Sequence, residues 1–347
     1  MEFGLQFFPD VGPDEKSAQQ YWNECLDLVD LCDELGYAQV RTVEHYFEPY
    51  GGYSPSPHVF LTAASQRTSK ARLLTGAVLP IFNHPLKIAG EIGMLDAISN
   101  GRLDCGFGRA FLPHEFQRFD RSMDDSRARF NEGVEAVRRL LEEENVTFNG
   151  QFHRFSNVTS LPRPTQKPRP PFWVAALGTP ASMEAAGKNG FNLMLVAFAG
   201  PQMQEAIGAY REAWQQAEHP GEGKIALGFH MFCHQDREEA HRIAKPNIDA
   251  YFKSLVSAAE QDSGGAPVHL PGTTPDTAAT LTRYELPAST RCWMAAPSGW
   301  ALRATYASRS PATLPRWVVS APPRYRSTST SSPRPTQRHP CASSPRK

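Results

Sequence analysis

The thirteen residues "SNGRLDCGFGRAF", Ser99 to Phe111, hold two punctuation marks that together set the architecture. Asn100-Gly101 closes a helical segment, and an apolar strand follows at once before running into Gly108 and Arg109. A glycine at a helix end supplies the left-handed cap that turns the chain into its next element. Two glycines in a core strand, Gly106 and Gly108, imply a neighbour too close for side chains, and the reading here is that the neighbour is not protein. Arg109 implies that it is an anion.

The first mark recurs in "DELGYAQV" (33–40) and "KNGFNLML" (188–195), each a helix, a glycine and a strand. Apolar runs place seven strands near 3–8, 38–46, 72–79, 102–107, 172–177, 191–198 and 224–233. Strands alternating with helical segments predict a parallel α/β architecture, and 347 residues suit a (β/α)8 TIM barrel. Seven strands leave the ring one short, so strands one and seven would carry unpaired edges. After helix four comes an insertion: "VTFNGQFHRF" (146–155) predicts a hairpin turning at Asn149-Gly150, and "LPRPTQKPRPP" (161–171) predicts an irregular connection, ordered on the surface or mobile.

Residues 1–271 form the expected barrel domain, and 272–347 are of another kind. The tail carries eleven basic and two acidic residues, against 25 and 34 in the remainder, although the whole chain balances at 36 each. "STSTSSPRPTQRHPCASSPRK" (327–347) has too few apolar residues to bury a core. Two readings stand: a basic disordered arm for nucleic acid or acidic lipid, or a slip of the coding frame near residue 272. The frame slip ranks first because it also accounts for the missing eighth strand.

Six cysteines without a CxxC pair read as reduced, buried thiols. No apolar run approaches 18 residues and the N-terminus lacks a basic signal region, so no membrane span is expected and a cytoplasmic location is. His230 and His234 lack an accompanying carboxylate cluster, and no metal site is assigned.

The candidate site residues sit at strand ends. "VRTVEHYF" (40–47) puts Glu44 and His45 at the carboxyl end of strand two, the functional mouth of such a barrel. Alternation points them opposite ways, and a histidine there suits proton transfer near neutral pH. Arg127 opens the amphipathic helix in "MDDSRARFNEGVEAVRRLL" (123–141), where an arginine opposes the helix dipole and needs an anion, be it Asp124, Asp125 or a ligand. In "FWVAALGTPAS" (172–182), Thr179 caps a helix with Pro180 at its first position, so Gly178, Thr179 and Ser182 surround free amides, a phosphate seat. Gly76 in "LLTGAVLP" (73–80) implies a flat ligand or unusual peptide geometry within a strand. Phe7, Phe8, Phe47, Phe111 and Phe198 could wall an apolar cavity.

With those residues in hand, the chain resembles the bacterial luciferase-like, flavin-dependent monooxygenases. The resemblance runs through "MEFGLQFF", "VRTVEHYF", "TGAVLPIFNHPLKIAGEIGMLDAISNGRLDCGFGRAF", "MDDSRARFNE" and "PFWVAALGTPAS", over roughly residues 1–270. It implies a TIM barrel with an insertion, usually dimeric. It implies His45 as the catalytic histidine beside flavin and substrate, with Glu44 next to it. A non-prolyl cis peptide under the flavin ring falls at Gly76, flavin-phosphate arginines at Arg109 and Arg127, and the phosphate turn at Gly178, Thr179 and Ser182. Gly108, Phe111 and Ala176 complete the implied cofactor surroundings. The light-emitting chain's reactive cysteine falls on Gly108 and its phosphate-turn glutamate on Leu177, so light emission does not carry over.

The implied activity is a two-component monooxygenase that takes reduced FMN from a separate NAD(P)H:flavin reductase. It would insert one atom of O2 into a small organic or polyketide substrate, by hydroxylation or epoxidation, as in secondary metabolism. No nicotinamide fingerprint is present, which favours an outside supply of reduced flavin. The alternatives are F420-dependent hydride transfer on the same fold, a non-catalytic dimer partner, and a nucleic-acid binder acting through the tail.

Overall fold

The computed structural model describes residues 2–176, 179–196, 201–261 and 318–320. Eight parallel strands close into a barrel in the ring order β1 (Gly4–Phe7), β2 (Gln39–Thr42), β3 (Arg72–Thr75), β4 (Leu103–Phe107), β7 (Phe172–Ala176), β8 (Asn192–Val196), β9 (Ile225–His230) and β10 (Val318–Ser320). The hairpin of β5 (Val146–Asn149) and β6 (Arg154–Val158) stands apart. Outside the ring lie α1 (Ala18–Val29), α2 (Cys32–Leu35), α3 (Pro57–Ser65), α4 (Pro85–Ile98), α5 (Pro113–Arg118), α6 (Ser126–Glu142), α7 (Pro180–Lys188), α8 (Pro201–Gln216) and α9 (Arg237–Glu260). None of the described helices is long and apolar enough to cross a membrane.

The glycine punctuation holds: Gly36, Gly101 and Gly190 have φ of 74°, 74° and 64°, the left-handed conformation that ends each helix. Strand alternation then divides two cores. Leu73, Leu103, Cys105, Phe107 and Phe172 point outward and pack with Ile88, Ile92, Leu95 and Leu140 from the helices. Leu74, Trp173, Met194 and Ala226 point inward and fill the bore.

Three expectations change. The missing eighth strand is present: Val319 pairs with Leu5 of β1 and with Phe229 of β9. Two adjacent valines supply strand propensity, and the open edges of β1 and β9 supply unpaired amides. Three residues are too few for a periodicity to announce. The remainder of the 272–347 tail lies outside the described residues, and with it the choice between a basic arm and a frame slip.

The neighbour that Gly106 and Gly108 accommodate is protein. A Cβ on Gly106 would lie 2.0 Å from the Thr75 carbonyl oxygen and 2.6 Å from Cε of Met194. Thr75 Oγ1 donates to the Gly106 carbonyl at 2.9 Å and accepts its N–H at 2.7 Å, drawing β3 and β4 together. A Cβ on Gly108 would lie 3.2 Å from both Ala77 Cβ and Leu79 Cδ2.

The hairpin turns through Gly150–His153 rather than at Asn149-Gly150, because Asn149 pairs with Arg154. Glu132 of α6 organises this longer loop by accepting the N–H groups of Gln151, Phe152 and His153 at 2.7–2.8 Å. The proline-rich connection is the ordered alternative: Arg163 donates to the carbonyls of Leu140, Leu141 and Glu143, and Gln166 binds Asp96.

Candidate active site

Beyond Thr42 the chain leaves β2 carrying Glu44 and His45 in opposite directions, as alternation requires. Glu44 turns to the segment after β3. Its Oε1 accepts from Tyr46 Oη (2.6 Å) and Asn83 Nδ2 (2.7 Å), and its Oε2 from the Leu79 amide (3.2 Å). Burial pushes its carboxyl up to about 8 against the pull of those donors.

His45, buried, turns the other way, and its Nδ1 lies 3.1 Å from Oε1 of the fully buried Glu115 on α5. The same oxygen accepts the Tyr46 N–H at 2.9 Å, so one carboxylate fixes both ring and backbone. Accepting from Nδ1–H, it leaves Nε2 as the free nitrogen. Gly51, at φ 81°, lies against the ring so closely that a Cβ would fall 2.6 Å from His45 Cβ. Phe8, Tyr50 and Phe111 surround the imidazole with ring centroids 5.7, 5.4 and 5.9 Å away.

α9 completes this aromatic wall. Its Tyr251 shares a 3.2 Å hydrogen bond with the Tyr50 hydroxyl and lies against Phe8 and His230 at 5.3 and 4.3 Å. His114 of α5 contacts the Ala258 carbonyl at 3.1 Å and ties the helix down. Of the phenylalanines assigned to the cavity, Phe8 and Phe111 reach it. Phe7 faces Phe60 in the helical core, Phe47 is exposed beside Phe119, and Phe198 lies outside the described residues.

On the other rim stand the arginines. Arg109 follows β4 and is half-buried, with Nη1 donating to Ser126 Oγ at 3.2 Å. Burial and the proximity of Arg127 both push its guanidinium below the ordinary value. Arg127 is exposed, and the local pairing open to it goes elsewhere: Asp125 bonds Arg129 at 2.8 Å. Neither Arg109 nor Arg127 has a carboxylate partner among the described residues.

β4 pairs with β7 through Phe107 and Val174, so Arg109 and Ala176 each stand two residues beyond that pair. Ala176 is buried on the side of α7 and α8, whereas Ala175 is exposed and faces the bore beside Gly108. Strand alternation makes Ala175 the inward residue here, and Ala176, expected beside the cofactor, faces outward. Thr179 is the N-cap of α7 and Pro180 its first residue. The Ser182 amide is already bonded to the Thr179 carbonyl at 3.0 Å. The turn also offers hydroxyl groups, with Thr179 Oγ1 donating to Ser182 Oγ at 2.8 Å. Gly178 lies outside the described residues. The Gly76-Ala77 peptide is cis, and the space beside Gly76 is filled by the Arg41 side chain.

Two neighbouring guanidinium groups with no carboxylate partner among the described residues fit a phosphoryl group, whose two charges they would balance. A family model described as luciferase-like monooxygenase matches residues 1–305. The chain belongs to the luciferase-like monooxygenase family.

Two relatives and one solved structure place this luciferase-like chain more closely. It is 31% identical to the oxygenase component of the flavin-dependent trigonelline monooxygenase of Acinetobacter baylyi, over 73% of the chain and 70% of that protein. The crystal structure of monooxygenase RslO1 from Streptomyces bottropensis superposes with a TM-score of 0.74 at 44% identity, covering 92% of both chains. An F420-dependent glucose-6-phosphate dehydrogenase of Intrasporangium calvum is 31% identical over 50% of the chain and 54% of that protein.

Glu115 and Tyr251 are what the sequence reading of this luciferase-like protein missed. Glu115 stands in "FLPHEF" (111–116), where a His-Glu pair interrupts an apolar run, and that interruption was the available signal. Tyr251 belongs to a helix whose position over the mouth no local pattern reveals.

Proposed function

We propose that the protein is the oxygenase component of a two-component flavin monooxygenase. It takes reduced FMN from a separate NAD(P)H:flavin reductase and places one atom of O2 on a small organic substrate, by hydroxylation or epoxidation. The observation that carries this reading is the pair of neighbouring guanidinium groups, Arg109 just beyond β4 and Arg127 in the first turn of α6, without a carboxylate partner among the described residues.

In this reading Arg109 and Arg127 hold the phosphate, with the Thr179 and Ser182 hydroxyls beside them. The Gly76-Ala77 backbone, Phe111 and the rim at Gly108 and Ala175 bound the ring. Reduced FMN, when bound, supplies the electrons that activate O2. Phe8, Phe111, Tyr50 and Tyr251 exclude water, and Nε2 of His45 takes or returns a proton at the reacting group while Glu115 keeps Nδ1 occupied. Glu44 acts from outside the pocket by anchoring the segment at Leu79 and Asn83.

The reading extends to a cytosolic homodimer. Val59 on α3, Met94 on α4 and Leu161 are 73%, 57% and 72% exposed, and such apolar residues on adjoining elements support a contact with a second copy. Among the described residues Cys25, Cys32 and Cys105 are buried free thiols, whereas Cys233 is a free thiol that is exposed rather than buried as expected; free thiols support a reducing compartment.

A second reading, F420-dependent hydride transfer, draws on the F420-dependent relative and on the same cationic rim. Anaerobic titration of the protein with reduced FMN and with reduced F420, followed by tryptophan fluorescence, separates the two. Saturable quenching by FMN is the expected result; saturation by F420 with no response to FMN would replace the first reading by the second.

A further inference from the structure

Arg41 lies inside the barrel and has no role in the site described so far. It is 5% exposed, points inward from β2, and has Leu74 of β3 as a ladder partner. Its side chain crosses beside Gly76, two residues beyond Leu74, where a Cβ would fall 2.4 Å from Arg41 Cγ and Cδ. It therefore leans toward the carboxyl end of the strands, the end that carries His45 on the same strand face. Its Nη2 lies 3.3 Å from the position a Cβ would take on Gly228 of β9. Two glycines thus leave the bore wide enough for one guanidinium.

Among the described residues nothing balances the charge of that group. Nε and Nη1 have no hydrogen-bond partner among the described residues, and no carboxylate pairs with the side chain there. Burial pushes Arg41 down to about 10, so it stays a cation at neutral pH. Among the described residues the titratable group that bears on it is Tyr251, whose phenol is pushed up to about 12 by burial and is neutral. A water molecule satisfies an N–H but leaves the charge, and an isolated buried cation is costly. Ala175, on the inward face of β7, is exposed.

We propose that Arg41 receives an anionic oxygen of the organic substrate, a carboxylate or an ionised phenol or enol, entering the bore from the mouth past His45. This rests on the reading of the mouth as the substrate site. The guanidinium would fix the acidic end of the substrate deep in the bore and leave its other end beside the imidazole.

The test is calorimetric titration of the full-length protein in chloride-free buffer with benzoate, benzyl alcohol and sodium chloride. Arg41→Gln and Arg41→Met are compared with wild type. Saturable benzoate binding that weakens about 10-fold or more in Arg41→Gln, with no binding of benzyl alcohol, is expected. Arg41→Met should melt no lower than wild type, since it removes an unbalanced charge. Absence of benzoate binding to wild type, equal binding to wild type and Arg41→Gln, or unfolding of Arg41→Met overturns the proposal. So does saturation by chloride that benzoate cannot displace, which would make the ligand an inorganic ion. FMN affinity, measured in parallel, should be the same in all three proteins. If FMN binds and benzoate ignores Arg41, this proposal alone fails; if benzoate needs Arg41 and FMN binds none of them, the cofactor reading alone fails.

Discussion

Oε1 of Glu115 lies 3.1 Å from Nδ1 of His45 and 2.9 Å from the Tyr46 amide nitrogen, so a residue of a six-residue helix fixes a ring carried by the segment after β2. Accepting at Nδ1 assigns the tautomer, and tautomer decides which nitrogen meets the substrate. Removing the ring should matter more than removing its support. His45→Ala is expected to lower turnover about 10²- to 10⁴-fold, the usual contribution of a proton-transfer group. Glu115→Gln should lower kcat about 10-fold or more while FMN affinity holds, and Glu115→Asp should restore part of it. Steady-state kinetics with a supplied flavin reductase, together with FMN titration, measure both. A fall in FMN affinity equal to the fall in kcat would show Glu115 to be a scaffold residue instead.

Glu44 makes a statement about pH. Its carboxyl rises from 4.5 to about 8 in the folded protein because burial outweighs three hydrogen bonds. Between those values the native state holds a proton that the unfolded chain has lost, so stability falls as pH rises through this window and levels off above it. The decline should be on the order of a few kcal/mol. Glu44→Gln should flatten it and be relatively more stable at pH 9 than at pH 5. Urea unfolding of both proteins from pH 5 to pH 9 checks this; parallel curves would contradict it.

The two glycines of the opening stretch should behave differently. In Gly106→Ala the new methyl would sit 2.0 Å from a backbone oxygen that cannot move without parting β3 from β4, a cost of about 3 kcal/mol or more. In Gly108→Ala it would meet side-chain carbons at 3.2 Å, which can shift, at a cost of about 1 kcal/mol. Chemical denaturation ranks them; equal loss at both positions would show that backbone contact is not the deciding difference.

Much of the barrel was legible because its signals are local. A left-handed glycine after a helix is a property of the chain at Gly36, Gly101 and Gly190, and the β/α alternation follows from it. The places of His45, Arg109, Arg127 and Thr179 in the fold were legible for the same reason: each stands just past a strand or at the start of a helix. What required the tertiary structure is what depends on a second element. Gly106 looks the same in sequence whether a ligand or Thr75 lies against it. Ala175 and Ala176 are separated only by which way the strand faces at its last residues. Glu115 reaches His45 across 70 positions. Arg41 reads as one polar residue in a strand until the bore shows no carboxylate beside it among the described residues.

The central claim is that the cationic rim exists to hold a phosphate. Calorimetric titration of wild type, Arg109→Ala and Arg127→Ala with FMN and with riboflavin tests it most directly, since the two ligands share a ring and differ in the phosphoryl group. Each variant is predicted to bind FMN about 10- to 100-fold more weakly than wild type, the range of a charge-assisted hydrogen bond, and to bind riboflavin as wild type does. Variants that lose FMN and riboflavin to the same extent, or that bind FMN unchanged, would contradict the account.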